Sequence, residues 1–170
     1  VVIHFLLRRR ALLAAEVRPA AEGFSGDPLD VSVAAACAGR GGALPSPARR
    51  FPFDADKRRA AGVGPLGGET LFAVKGAWEA LRPFLAGADL EAAETTLHAL
   101  AAEGLRVLAV AWRPLAAGEE GLEQEALEGG LRLAGFLGVE DPVRPEVPAA
   151  VARCREASIE VLLVTGDHPA

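Results

Sequence analysis

The sequence predicts an α+β fold, an antiparallel sheet flanked by helices, followed by an incomplete α/β layer near the end of the chain. Three observations predict it. The hydrophobic period changes from helical to alternating near Arg50. Turn residues then punctuate the alternating runs, as in Gly64-Pro65-Leu66-Gly67-Gly68. Beyond the stiff segment D-P-V-R-P at 141–145, a helical pattern leads into an unbroken apolar run, the signature of a buried parallel strand.

In chain order, residues 3–17 read as a helix. Ile3, Leu6, Leu7, Leu13 and Ala14 mark its apolar side, and Arg8 to Arg10 reach water. Pro19 and Gly23 end it. G-D-P-L-D at 26–30 is a helix entry: Asp27 is placed to cap, and Pro28 occupies the first turn, where its missing N–H costs little. A helix of small residues runs on to about Ala38, and the Gly- and Pro-rich stretch 39–47 is a loop. Arg50-Phe51-Pro52-Phe53 is a short strand whose proline confines it to an edge or a bulge. Strands over 57–63 and 70–75 complete a small antiparallel meander. Helices follow at about 77–85 and 89–103, the second ended by Gly104. Residues 105–112 form a central strand, the acidic run 119–128 a solvated helix or loop, and 131–139 another strand. After the joint, a helix over 146–157 carries Val147, Ala150, Val151 and Cys154 on one stripe, and 159–164 is an apolar strand.

Composition bounds the function. With 170 residues, 51% of them hydrophobic and 24% charged, the chain is a folded domain or slightly more than one. A net charge of −5 argues against a nucleic-acid groove, which needs a basic face. No apolar run approaches the ~20 residues that cross a bilayer. Cys37, Cys154 and the three histidines lack metal-ligand spacing, so reduced thiols and no metal site are expected. The sequence contains no Met, which leads us to expect a processed chain or part of a larger one.

No phosphate-binding glycine loop, nucleophile elbow or zinc-binding H-E-x-x-H occurs. The candidate residues are instead scattered. Lys75-Gly76 stands where a strand gives way to a helix. Lys75 is either a surface lysine or a cation for a phosphate or purine edge, and Gly76 lets a flat ring approach the backbone. Phe53 is either core or a stacking platform for a base. Arg106 opens an apolar strand, so it snorkels or reaches into a cleft toward an anion. Asp30 is a helix-surface carboxylate or an acceptor for an exocyclic amine. Thr165-Gly166-Asp167 ends an apolar run, where ligands of open α/β sheets gather, and its groups suit a phosphoryl group with Mg²⁺.

The order of these motifs carries more than any one of them. G-D-P-L-D, F-P-F-D-A-D-K-R-R, V-K-G-A, L-R-V-L-A-V-A, G-V-E-D-P-V-R-P and V-T-G-D-H together resemble the cytoplasmic nucleotide-binding region of a P-type cation-transporting ATPase, over residues 24–170. The set is closest to the calcium-, sodium- or magnesium-pump branch.

The resemblance implies a nucleotide-binding domain over 1–140, a hinge over 141–145, and over 146–170 a piece of the phosphorylation domain, which is Rossmannoid and haloacid-dehalogenase-like. It implies that Phe53 stacks on adenine, that Lys75 and Gly76 line the same pocket, and that Asp30 lies near the base, where the family usually has Glu. Arg106 approaches the phosphates, and Asp141 and Arg144 belong to the hinge beside them. Thr165, Gly166 and Asp167 support the phosphoryl group and the Mg²⁺ site. Neither the family's phosphorylated D-K-T-G-T aspartate nor its G-D-G-x-N-D segment occurs in the sequence. The implied behaviour is ATP binding without turnover and without a catalytic residue of its own. The implied partners are the phosphorylation, actuator and transmembrane domains of the same pump, facing the cytoplasm. Two other readings remain at this point: a free-standing phosphohydrolase of the haloacid-dehalogenase type, and a non-catalytic interaction module.

Overall fold

The computed structural model describes residues 5–38, 45–140 and 144–162. Its elements, in chain order, are α1 (Phe5–Leu13), β1 (Val17–Ala20), β2 (Gly23–Gly26), α2 (Pro28–Ala38), β3 (Arg49–Asp54), β4 (Arg59–Leu66) and β5 (Glu69–Gly76). They continue as α3 (Trp78–Leu81), a 3-10 turn at Arg82–Phe84, α4 (Leu90–Ala102), β6 (Arg106–Pro114), α5 (Gln124–Leu127), β7 (Arg132–Val139) and α6 (Val147–Glu156). Strands β3 to β7 pair in sequence order into one five-stranded antiparallel sheet, and β1 and β2 form a separate hairpin. The α+β expectation is met. The meander is longer than expected, because β6 and β7 continue it.

Local signals explain most boundaries. The Asp27 carboxylate accepts from the Leu29 backbone N–H at 3.0 Å, which caps α2. Asp89 caps α4 in the same way through the Ala92 N–H. Gly104, at φ +75°, turns the chain out of α4. Gly67 and Gly68 take positive φ at both central positions of the β4–β5 hairpin, as a type I′ turn requires.

Alternation along the strands assigns two faces. Phe51, Ala61, Val63, Phe72, Val74, Ala109 and Ala111 form one face, packed on Trp78, Leu81, Ala93, Leu127 and Leu131. Val110, Leu137, Leu71 and Ala73 lie on the other, where α1 and α2 supply Leu7, Leu12, Leu13, Val33 and Ala34. Gly62 permits the close approach of α1, since any Cβ there would collide with the Leu13 carbonyl.

Several expectations need correction. The first helix stops at Leu13, and residues 17–26 form a hairpin with Val17 opposite Gly26. Pro19 and Gly23, expected to end the helix, lie beyond its end and form part of the hairpin instead. Arg10 does not simply reach water: it stacks 4.0 Å from the centroid of the Trp112 ring, and desolvation lowers its pKa. Ile3 and the side chains of Leu6 and Arg8 lie outside the described residues. The acidic run is not merely solvated. Glu128 is 2% exposed and receives a bidentate bond from Arg59 at 2.6 and 2.7 Å, and the Gln124 amide also donates to it.

The second, parallel layer is not seen among the described residues. Helix α6 forms as expected, but none of its residues is buried. Residues 159–162 make no strand, and Ile159, Val161 and Leu162 are exposed. A strand needs a neighbour for its backbone hydrogen bonds, and the described residues offer 159–162 none.

Candidate functional site

A cavity of about 330 Å³ opens at one end of the sheet, on the face carrying α1 and α2. It is lined by Asp30, Phe53, Lys75, Gly76 and Arg106, all candidates from the sequence, and by Glu16, Asp27, Leu29, Ala60 and Leu108. The five candidates come from four elements: Asp30 from α2, Phe53 from the end of β3, Lys75 and Gly76 from the end of β5, and Arg106 from the start of β6. Antiparallel pairing brings these strand ends together.

Phe53 reaches the cavity because of a defect in its strand. Phe51 pairs with Ala61 and packs in the opposite core, and in a regular strand Phe53, two residues on, would face the same way. The register shifts between Phe51 and Asp54, around Pro52, so that Asp54 pairs with Arg59. This bulge on an edge strand turns Phe53 to the cavity side, where the residue is 62% exposed while Phe51 is 9% exposed. Asp54 then closes the following turn by accepting from the Asp56 and Lys57 N–H groups at 2.9 and 3.0 Å.

Lys75 lies on the middle strand between Ala60 and Val110 and is 8% exposed. The small Ala60 leaves its ammonium open to the cavity. It pairs with the Asp30 carboxylate, itself 4% exposed. Burial pulls Lys75 down from its ordinary value to about 8, opposed by the fields of Asp27 and Glu16. The contact with Asp30 acts in the same opposing direction, so the ammonium predominates at neutral pH. The other Asp30 oxygen accepts from the Glu16 N–H at 2.7 Å. Asp30 is thus committed to Lys75 and the backbone.

Arg106 is exposed at the mouth, and its side chain makes no ion pair or hydrogen bond among the described residues. Of the two readings of this residue, the one reaching into a cleft fits its position. Gly76 lines the cavity too, but its first constraint is internal. A Cβ there would lie 2.5 Å from the Arg58 carbonyl and 2.7 Å from the Arg59 Cβ. Space for the neighbouring strand, more than space for a ring, requires glycine.

Other candidates are not gathered here. Arg144 is exposed and does not line the cavity. Asp141, Thr165, Gly166 and Asp167 lie outside the described residues, so the hinge and phosphoryl-support expectations lie there too. Among the described residues no cluster of His, Cys, Asp or Glu could hold a metal, and no helix is long and apolar enough to cross a membrane.

Sequence reasoning missed Glu16. Its Oε1 accepts from the Phe53 N–H at 3.0 Å, a contact spanning 37 positions that no local pattern announces. Asp27, legible in the sequence as a cap, also faces the cavity.

The fold and cavity define an α+β domain built around a cleft that offers an aromatic face, a buried ammonium and an open guanidinium. Residues 84–146 match the family described as P-type ATPase, cytoplasmic domain N. The chain is 47% identical over 75 residues to a calcium-transporting ATPase of Bacillus subtilis, covering 44% of this chain and 8% of that protein. It is 43% identical over 79 residues to plasma membrane calcium-transporting ATPase 4 of Bos taurus, covering 46% of this chain and 6% of that one. Over these residues the chain is similar to domain N of the P-type ATPases, and the relatives it matches are calcium-transporting pumps of which it spans less than a tenth of the length.

Proposed function

We propose that the cleft binds ATP, with the adenine on Phe53, the Lys75 ammonium beside it and Arg106 turned toward the phosphates. The observation that carries this reading is the β3 bulge, which aims an exposed aromatic ring into the cavity that holds Lys75. An exposed ring against a π-face, a cation at its edge and an arginine at the mouth match the three parts of a nucleoside triphosphate. The volume of about 330 Å³ lies at the lower end of small-molecule pockets, so the phosphates extend outside it.

On this reading, residues 1–140 are the nucleotide-binding domain of a cation-transporting ATPase, and 141–145 are a hinge with Asp141 and Arg144 beside the phosphates. Residues 146–170 begin a haloacid-dehalogenase-like phosphorylation domain, with Thr165, Gly166 and Asp167 supporting the phosphoryl group and Mg²⁺. The chain then presents ATP to an aspartate outside its own sequence, within a pump whose other parts are its partners. The names of the relatives point to calcium as the transported ion. Phosphoryl transfer depends mainly on positioning and charge neutralisation, so gripping the base in one domain and delivering the phosphates to another is a workable division.

The test is nucleotide titration followed by NMR. ATP is expected to shift the Phe53 and Lys75 signals. Phe53→Ala is expected to weaken binding about 5- to 150-fold, the worth of one stacked base. Its melting temperature should barely change, because Phe53 is 62% exposed. Unmoved Phe53 and Lys75 signals in millimolar ATP, with the protein folded, would refute the reading.

A further inference from the structure

We propose that Glu16 is a positioning residue, which holds Phe53 over the cleft and couples it to the Asp30–Lys75 pair. The proposal rests on the nucleotide reading of the cleft.

A bulge frees the N–H of Phe53 from regular pairing with β4, and an unpaired N–H leaves a strand end free to move. Glu16 takes that donor: its Oε1 accepts from the Phe53 N–H at 3.0 Å. The same residue is fixed at its backbone, where its N–H donates to Asp30 Oδ2 at 2.7 Å. Asp30 in turn pairs with Lys75. Glu16 thus ties the backbone of Phe53 to Asp30 through two bonds, and through the Asp30 ion pair to the buried cation, from a point just past the end of α1. The length of the side chain matters. A glutamate reaches from the anchored backbone to β3, and an aspartate is one methylene shorter.

Glu16 also faces Lys75 electrostatically, together with Asp27, Asp30 and the opposing Arg106 at the mouth. Charge and reach must therefore be separated in the test. Glu16→Gln keeps the reach and the acceptor and removes the charge. Glu16→Asp keeps the charge and loses the reach, and Glu16→Ala loses both.

The experiment measures binding of ATP and of inorganic tripolyphosphate to the whole 170-residue chain by calorimetry, with amide hydrogen exchange read by NMR. Glu16→Ala and Glu16→Asp are expected to bind ATP about 3- to 10-fold more weakly than Glu16→Gln, the loss of one hydrogen bond. Tripolyphosphate has no base to stack, so its binding should not distinguish Glu16→Asp from wild type. The Phe53 amide should exchange faster in Glu16→Ala and Glu16→Asp and at the wild-type rate in Glu16→Gln. Equal ATP affinity in Glu16→Gln, Glu16→Asp and Glu16→Ala overturns the proposal, as does an unchanged Phe53 amide in Glu16→Asp. A wild-type chain that binds no ATP overturns the nucleotide reading alone, and the Phe53 amide still decides whether Glu16 holds the ring.

Discussion

Replacing Asp30 by Asn tests the electrostatic centre of the cleft. Asp30 and Lys75 are 4% and 8% exposed, so each depends on the other for compensation. Removing one partner of a buried ion pair costs about 3–5 kcal/mol, because the remaining charge is left in a poor solvent. The lower end applies here, since Asp27 and Glu16 also attract the ammonium and the cavity admits water. Asn keeps an acceptor for the Glu16 N–H, so the perturbation is nearly confined to the charge. For a chain of this size, about 3 kcal/mol lowers the melting temperature by roughly 6–12 °C. The assay is thermal unfolding by circular dichroism at pH 7 of Asp30→Asn, Lys75→Met and the double variant. The double variant should recover much of the loss, because it leaves neither charge uncompensated. An Asp30→Asn protein melting within about 1 °C of wild type would refute the reasoning, and so would a double variant whose loss is the sum of the two singles.

Further outcomes are expected from the same geometry. Gly76→Ala should destabilise by about 1–3 kcal/mol in urea unfolding, since its Cβ would press on the Arg58 carbonyl and Arg59. In alkaline solution, the folded value of Lys75, about 8, lies below its ordinary 10.5, so the unfolded chain holds the proton longer. Stability should therefore rise with pH between those values, and Lys75→Met should abolish the rise in a pH series of melting curves. In acid, Arg113 and the Ala116 N–H hold Glu119 down at about 2 against an ordinary 4.5. Its contribution is present above 4.5 and lost as pH falls toward 2, and Glu119→Gln should lack that acid limb.

Features written in neighbouring residues were legible. Asp27 before Pro28 announced a cap, Gly104 announced a helix end, and Pro52 announced an edge or a bulge and supplied both. Features made by distant residues were not. Lys57 and Arg59 reach Glu125 and Glu128 across 68 and 69 positions, so an acidic run that looked solvated is clamped against the sheet. Glu16 was invisible for the same reason. Motif order, rather than any chemistry of single residues, brought Asp30, Phe53, Lys75, Gly76 and Arg106 into one set, and one cavity holds all five. The hairpin at 17–26 was missed because Pro19 and Gly23 read as breakers, and a breaker ends one element without specifying the next.

The bulge also explains why the cleft lies at this end of the sheet and not the other. On the cavity face, α1 presses against β4 where Gly62 offers no side chain, and a Cβ at Gly64 would likewise meet Leu13 and Pro47. Leu66, Leu71, Ala73 and Leu13 close that end as core. Toward the Lys75 end the strand residues on this face are Ala60, Lys75, Arg106 and Leu108, two of them cationic, which apolar helices cannot cover cheaply. The surface left open there would be only a charged notch without an apolar wall. A regular β3 would bury Phe53 beside Phe51 in the opposite core. One extra residue in the edge strand moves that ring to the charged end, and the cleft gains a flat apolar wall beside its two cations.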